Sequence, residues 1–307
     1  MIRHISIALA FVCLTISPAL AQSDEEVAAA RLLYIDGQYE AALRVLVPAA
    51  EAGNPRAQNI VGAAYQFGNG VPVNAVKALA YFNLSAAQNF PSAHHNLGVL
   101  YENGMEGIPA DSPRARAYFE QSVTIGWLGS YSNLAFMLRD GIGGPADVPR
   151  ALALLEQGLA QADIASIHEL AYMYHDGVGV PVDMTKARDY YSQVVAANVP
   201  QAMSSYGTML ELGEGGPIDL AGAEAQYLAA IDLDYAYSGI DMAWLIFNNP
   251  DTYPDQVQGL AYCYWAQATA TGADADEYRA SCDDAASDIT APEIKDAKSR
   301  AALIGTD

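Results

Sequence analysis

Ser166 to Pro200 reads SIHELAYMYHDGVGVPVDMTKARDYYSQVVAANVP. Its first ten residues place Ile167, Leu170 and Tyr174 at helical spacing. Gly177 then stands where a helix can end in a left-handed cap, and Pro181 cannot continue a helix interior. Asp183 suits the start of a second helix, because its carboxylate can accept hydrogen bonds from the first free N–H groups. That second helix carries Tyr190, Tyr191, Val194 and Val195 and stops at Asn198-Val199-Pro200. The stretch predicts a helix, a glycine-rich loop, a second helix and a tight turn.

The same unit occurs six times, beginning at Ala57, Ala93, Ser130, Ser166, Ala202 and Ser238, with spacings of 36, 37, 36, 36 and 36 residues. Counting from each start, position five is large or apolar: Val61, Leu97, Leu134, Leu170, Tyr206, Met242. Position six is tiny: Gly62, Gly98, Ala135, Ala171, Gly207, Ala243. Position eighteen is an acid or its amide: Asn74, Asp147, Asp183, Asp219 and Asp255, with Asp111 displaced by one residue, which accounts for the single 37. A basic residue precedes alanine in four units, at Lys77, Arg114, Arg150 and Lys186. A fixed period of this length predicts an all-α chain, a right-handed α-solenoid of stacked antiparallel helix pairs. The glycine loops are turn chemistry: none has the G-x-x-x-x-G-K-[ST] order of a phosphate cradle, and none follows a strand. The small sixth residue lets the paired helices approach closely.

The pattern of alanine, leucine-glycine, tyrosine, G-x-G-V, aspartate and lysine-alanine resembles the Sel1-like repeat, a relative of the tetratricopeptide repeat, over about residues 57–273. The sixth unit departs most, with Phe247-Asn248-Asn249-Pro250-Asp251 in place of the glycine loop. The expected organisation is a signal peptide at 1–21, an N-terminal helical hairpin at 22–56, six repeats at 57–273 and C-terminal capping helices at 274–307. The resemblance implies a non-enzymatic scaffold or adaptor that binds a protein partner, such as an envelope or signalling protein, through its concave face. The alternative it implies is binding or hydrolysis of cell-wall or β-lactam material, as in some secreted members. This chain lacks the cysteine pair in every repeat that those members carry.

Both ends of the composition narrow the function. Ile5 to Ile16 is a 12-residue, mostly apolar run, broken by Ser17-Pro18 and followed by Ala19-Leu20-Ala21. This reads as a secretory signal peptide cut after Ala21, which places the protein in the periplasm or outside the cell. A retained anchor is the alternative, but a bilayer-spanning helix needs about 20 residues. Cys13 follows Ala10-Phe11-Val12 and lacks the small residues of a lipoprotein site, so no lipid anchor is expected, nor any stable membrane insertion after cleavage. The net charge is −21, from 15 basic and 36 acidic residues, and it disfavours nucleic acid as a ligand. Cys263 and Cys282 form an even pair on consecutive predicted helices. One disulfide and two buried thiols are the two readings, with the exported compartment favouring the disulfide.

In a solenoid of helix pairs the first helix lines the inner face. The core is expected to use positions one, five and eight of that helix, so positions three, seven and ten share another face. They bring His95, Phe136, Arg139, His168, Tyr172, His175 and Trp244 forward as candidate partner-binding residues. Rigid aromatics beside adaptable polar groups suit an extended peptide or a partner's helix. The competing reading makes Phe136 and Tyr172 packing residues between repeats. His168 and His175 lie about 10.5 Å apart along a helix, awkward for sharing one zinc ion. No G-x-S-x-G, S-x-x-K or H-E-x-x-H motif occurs, and no metal, cofactor or catalytic residue is expected.

Overall fold

Each repeat is closed by its own loop chemistry. In the computed structural model, which describes residues 23–271, 273–287 and 289–305, the side chain of Asn74 accepts the backbone N–H of Lys77 at 2.9 Å. Asp111, Asp147, Asp183, Asp219 and Asp255 do the same for the residue three places on, at 2.9 to 3.2 Å. The cap residue is itself tied back to the first helix: the Asp183 N–H donates to the Tyr174 carbonyl at 2.9 Å. Gly177 ends that first helix at φ +71°, which a residue with a side chain adopts only at a cost. Between repeats, Asn89, Asn198 and Asp234 sit at positive φ, and Ala162 does so without a side chain suited to it.

The first unit spans residues up to Trp127. It contains α1 (Asp24–Ile35), α2 (Tyr39–Glu51), α3 (Pro55–Phe67), α4 (Ala75–Ala86), α5 (Pro91–Asn103) and α6 (Ser112–Thr124), each packing on the next. Leu43, Leu46, Ala49 and Ala50 of α2 form one core with Ala57, Val61 and Ala64 of α3. The second unit runs from Leu128. It contains α7 (Tyr131–Asp140), α8 (Val148–Leu159), α9 (Ile164–Asp176), α10 (Met184–Val195), α11 (Pro200–Leu212), α12 (Leu220–Ile231), α13 (Ala236–Asn248), α14 (Gln256–Thr269), α15 (Ala273–Ala285) and α16 (Ala291–Ala301). Neighbouring helices pack pairwise, and no strand occurs among the described residues. The expected signal peptide, its expected cleavage site and Cys13 lie outside the described residues.

Inside a repeat, positions one, five and eight are buried, as in Ser166, Leu170 and Met173 of α9. Where position six is glycine, it receives an aromatic from the second helix. A Cβ on Gly62 would lie 2.7 Å from the Phe82 ring, one on Gly98 2.6 Å from Phe119, and one on Gly207 2.6 Å from Tyr227. The basic residue before alanine lies over a tyrosine of the first helix: Lys77 over Tyr65 at 4.8 Å, Arg114 over Tyr101 at 5.4 Å and Lys186 over Tyr174 at 4.6 Å. Each of those tyrosines contacts a second one, Tyr81, Tyr118 and Tyr190 in turn. In these three repeats the basic residue before alanine thus makes a cation–π contact that joins the two helices of the hairpin.

At the C-terminal end, Cys263 on α14 and Cys282 on α15 form a disulfide with a Cα–Cα distance of 5.5 Å. Helix α16 packs on α14 and buries Ala297 there. Its Arg300 bonds Asp255, the cap of α14, at 2.6 Å. The sixth loop has no left-handed glycine: α13 stops at Asn248, with Asn249 at φ −127°.

Candidate functional site

Helices α7, α9 and α11 carry small or apolar residues toward their partner helices, which leaves positions three, four, seven and ten to face outward together. In the second unit four of the sequence-predicted residues, Phe136, Arg139, His168 and Tyr172, line one groove of about 330 Å³. Tyr191 of α10, Tyr235 at the start of α13 and Tyr237 complete its aromatic wall, with Gln201, Ser204 and Ser205 from α11. Phe136 is 38% exposed and Tyr172 36%, so each ring is part wall and part packing.

Arg139 organises this wall. Its side chain is only 9% exposed. The guanidinium lies 5.0 Å from the Phe136 ring centre and 5.2 Å from that of Tyr172. It donates through Nη1 to Glu169 and through Nε and Nη2 to Asp140, at 2.7 and 2.9 Å. The hydrogen bond to Asp140 pushes the Arg139 pKa up, and the same bond holds the Asp140 carboxyl below its ordinary range. Two carboxylates therefore neutralise Arg139, which fixes two rings rather than offering a free charge. His168 sets its ring edge-on to Tyr191 with centres 5.9 Å apart, and burial pushes its pKa down, which favours the uncharged ring.

The other three sequence-predicted residues lie elsewhere. His95 belongs to the first unit, half-buried against Phe119 at 5.7 Å, and burial lowers its pKa too. His175 bonds Asp176 through Nδ1 and approaches Glu214 through Nε2 at 3.3 Å. Burial alone would lower its pKa, but the bonds to the two carboxylates outweigh it and the net shift is upward. Trp244 is 37% exposed, packs edge-on to Phe247 at 5.8 Å, and lines a separate recess with Gln256, Asp284 and Ile289. Among the described residues no three His, Cys, Asp or Glu side chains converge as metal ligands.

The structure also adds residues that positions three, seven and ten leave out. Position four reads Ile60, Asn96, Asn133, Glu169, Ser205 and Asp241, polar in five of six repeats. It bonds to the preceding repeat: Asn96 donates to Asn59 at 2.9 Å, Glu169 accepts from Arg139, and Asp241 accepts from Ser204. A polar position recurring beside a buried stripe was the available signal. Asp241 is the most perturbed of these groups. Burial pushes its carboxyl up to about 7, against the Ser204 hydrogen bond, and the charge of Glu211 adds to the rise. Glu211 itself accepts from Tyr227 at 2.9 Å, and Tyr227 shares a 3.2 Å bond with Thr208.

The Sel1 repeat family matches residues 55–90, 91–126, 129–163 and 164–195. A Sel1 repeat protein from Oxalobacter formigenes superposes with a TM-score of 0.71 at 22% identity, covering 80% of this chain and 100% of that one. A protective antigen of uropathogenic Escherichia coli, displaying an SLR fold, superposes with a TM-score of 0.66 at 22% identity, covering 91% of this chain and 60% of that one. At such identities the likeness concerns the fold. No curated protein matches the sequence. Sel1 repeats generally mediate protein–protein interaction. Residues 55–195 thus carry four Sel1 repeats, and the fold of the chain resembles that of solved Sel1 repeat proteins.

Proposed function

We propose that this chain is a non-enzymatic adaptor that binds an extended segment or helix of a protein partner in the groove of its second unit. The observation that carries the reading is the pair of half-exposed rings, Phe136 and Tyr172, clamped on a neutralised Arg139. Rings held in place lose little entropy when a partner covers them, which is what a binding anchor needs. The concave face as the working surface, and the periplasm or the extracellular space as the location after cleavage behind Ala21, belong to the same proposal. The apolar run and small-residue cleavage site support the location.

Photo-cross-linking in living cells, with the cross-linker at Tyr172, tests the binding surface. One dominant protein adduct that disappears in the His168→Ala variant supports it. Absence of an adduct at both Tyr172 and Phe136 would move the working surface elsewhere. Sequencing the N-terminus of the protein recovered from the cell envelope tests the location: a start at Gln22 supports it, and a start at Met1 refutes it.

A further inference from the structure

Beside the groove of the second unit stand two half-buried acids that lack a cation. Asp241 on α13 accepts a hydrogen bond from Ser204, a groove-lining residue, and so lies one hydrogen bond behind the wall. Glu211 on α11 is bonded to the Tyr227 hydroxyl. Among the described residues neither acid has a lysine, arginine or histidine in an ion pair, although a buried carboxylate without one is costly. The two acids also repel each other. The field of Asp241 reaches the rings in front of it, raising the Tyr237 phenol together with burial, and adding to burial at Tyr235.

The rest of the groove supplies no positive charge to them. Arg139 is the cation that lines it, and Glu169 and Asp140 already bond its guanidinium. Burial favours the uncharged ring of His168. The chain as a whole carries −21. Tyrosine faces and a half-buried carboxylate are the two features that attract an ammonium or guanidinium group, the first through the ring quadrupole and the second through charge. A carboxylate-bearing or phosphorylated segment would meet unpaired acids and a spent arginine.

We propose that this groove takes a lysine or arginine side chain of an extended partner segment, with the cationic head directed between the groove tyrosines toward Asp241. The inference rests on the adaptor reading and specifies the chemistry of its partner. The neighbouring rings of Phe136 and Tyr172 then hold an apolar residue of the same segment. Because an extended segment alternates its side chains, the apolar residue and the basic one fall two positions apart.

The test uses the full chain and defined probes. Random linear peptides displayed on phage are selected against it, and the enriched sequences are synthesised and titrated by fluorescence anisotropy. The expected result is enrichment of lysine or arginine two places from an apolar residue. Replacing that basic residue by glutamine in the peptide weakens binding by about tenfold or more, and Asp241→Asn in the protein does the same. The two changes together cost little more than either alone, because they remove one contact. The asparagine keeps an acceptor for Ser204, and the peptide change leaves the protein untouched, so a misfolded variant cannot mask the answer. Peptides that need Tyr172 but carry no basic residue, or that bind Asp241→Asn as well as wild type, overturn the inference and leave the groove reading standing. A selection yielding no peptide sensitive to Tyr172→Ala overturns both.

Discussion

Gly98 shows how much rests on one missing methyl group. Alanine there would gain about 1 kcal/mol of helix propensity, but its Cβ would sit 2.6 Å from a Phe119 ring that is 0% exposed and already packed on His95. Overpacking of a buried ring costs about 1–3 kcal/mol, so the clash wins. Gly98→Ala is expected to lower the melting temperature. Adding Phe119→Leu should recover part of the loss, since it removes ring atoms from the space that the new methyl group needs. A rise in melting temperature for the single variant would mean that the ring yields. The fourth repeat alone combines alanine, Ala171, with a ring, Tyr191, and that ring lines the groove. Asp241 makes a second residue-level prediction. Its folded pKa of about 7 stands above the ordinary carboxyl value of 3.8, so the folded chain holds this proton where the unfolded chain releases it. Stability from this group is therefore full below pH 4 and lost as the pH rises to 7. Asp241→Asn should raise the melting temperature relative to wild type increasingly from pH 4 to 7, with a constant gap above that. A gap independent of pH would remove Asp241 as the titrating group.

The helices are held by different means along the chain, and α15 is the one tied by a disulfide. Among its described side chains, Tyr278 and Cys282 are buried in the core of the second unit and Ala285 packs on it in part. Its bond to α14 closes a loop of 19 residues, a cross-link worth about 3 kcal/mol in the chain-entropy account. Reduction should raise amide exchange across 273–285 sharply while α9 and α10 keep their protection. Equal exchange in both redox states would show that packing alone holds α15. At this scale the sequence was most readable where a residue acts on its own neighbours. The capping acid or amide, the glycine that ends the first helix of the first five repeats, and the buried stripe at positions one, five and eight all act within one repeat, so the period displays them again and again along the chain. The groove was legible only in part, because its other walls act between repeats. Tyr191 comes from a second helix and Tyr235 from an inter-repeat turn, while Glu169 and Asp241 meet side chains of the repeat before them. Helical spacing ranks residues on one helix and is silent on which neighbour they meet. That is why Arg139 read as a partner-facing charge when Glu169 and Asp140 already occupy it.

Charge is the property that belongs to the molecule as a whole. With 36 acids against 15 basic residues, most carboxylates have no cation to pair with, and folding brings them closer together. The basic residues are placed economically: Lys77, Arg114 and Lys186 close hairpins over tyrosines, Arg139 orders the groove, and Arg300 ties α16 to the cap of α14. Two electrostatic effects therefore compete as salt is added. Screening weakens the exposed pairs, such as Arg279 with Asp276, which contribute about 0–1 kcal/mol each. It also weakens repulsion among the excess acids, which acts over the whole surface with a Debye length of about 30 Å at 0.01 M salt and about 8 Å at 0.15 M. The second effect involves far more charges, so the melting temperature should rise with sodium chloride between those concentrations at pH 7.5, and rise less at pH 5, where part of the excess is already protonated. Thermal unfolding followed by circular dichroism across that series decides it. A fall with salt would mean that the few ion pairs outweigh the repulsion. An equal rise at both pH values would point to salting-out of apolar surface instead, because that effect does not depend on the carboxylate charge.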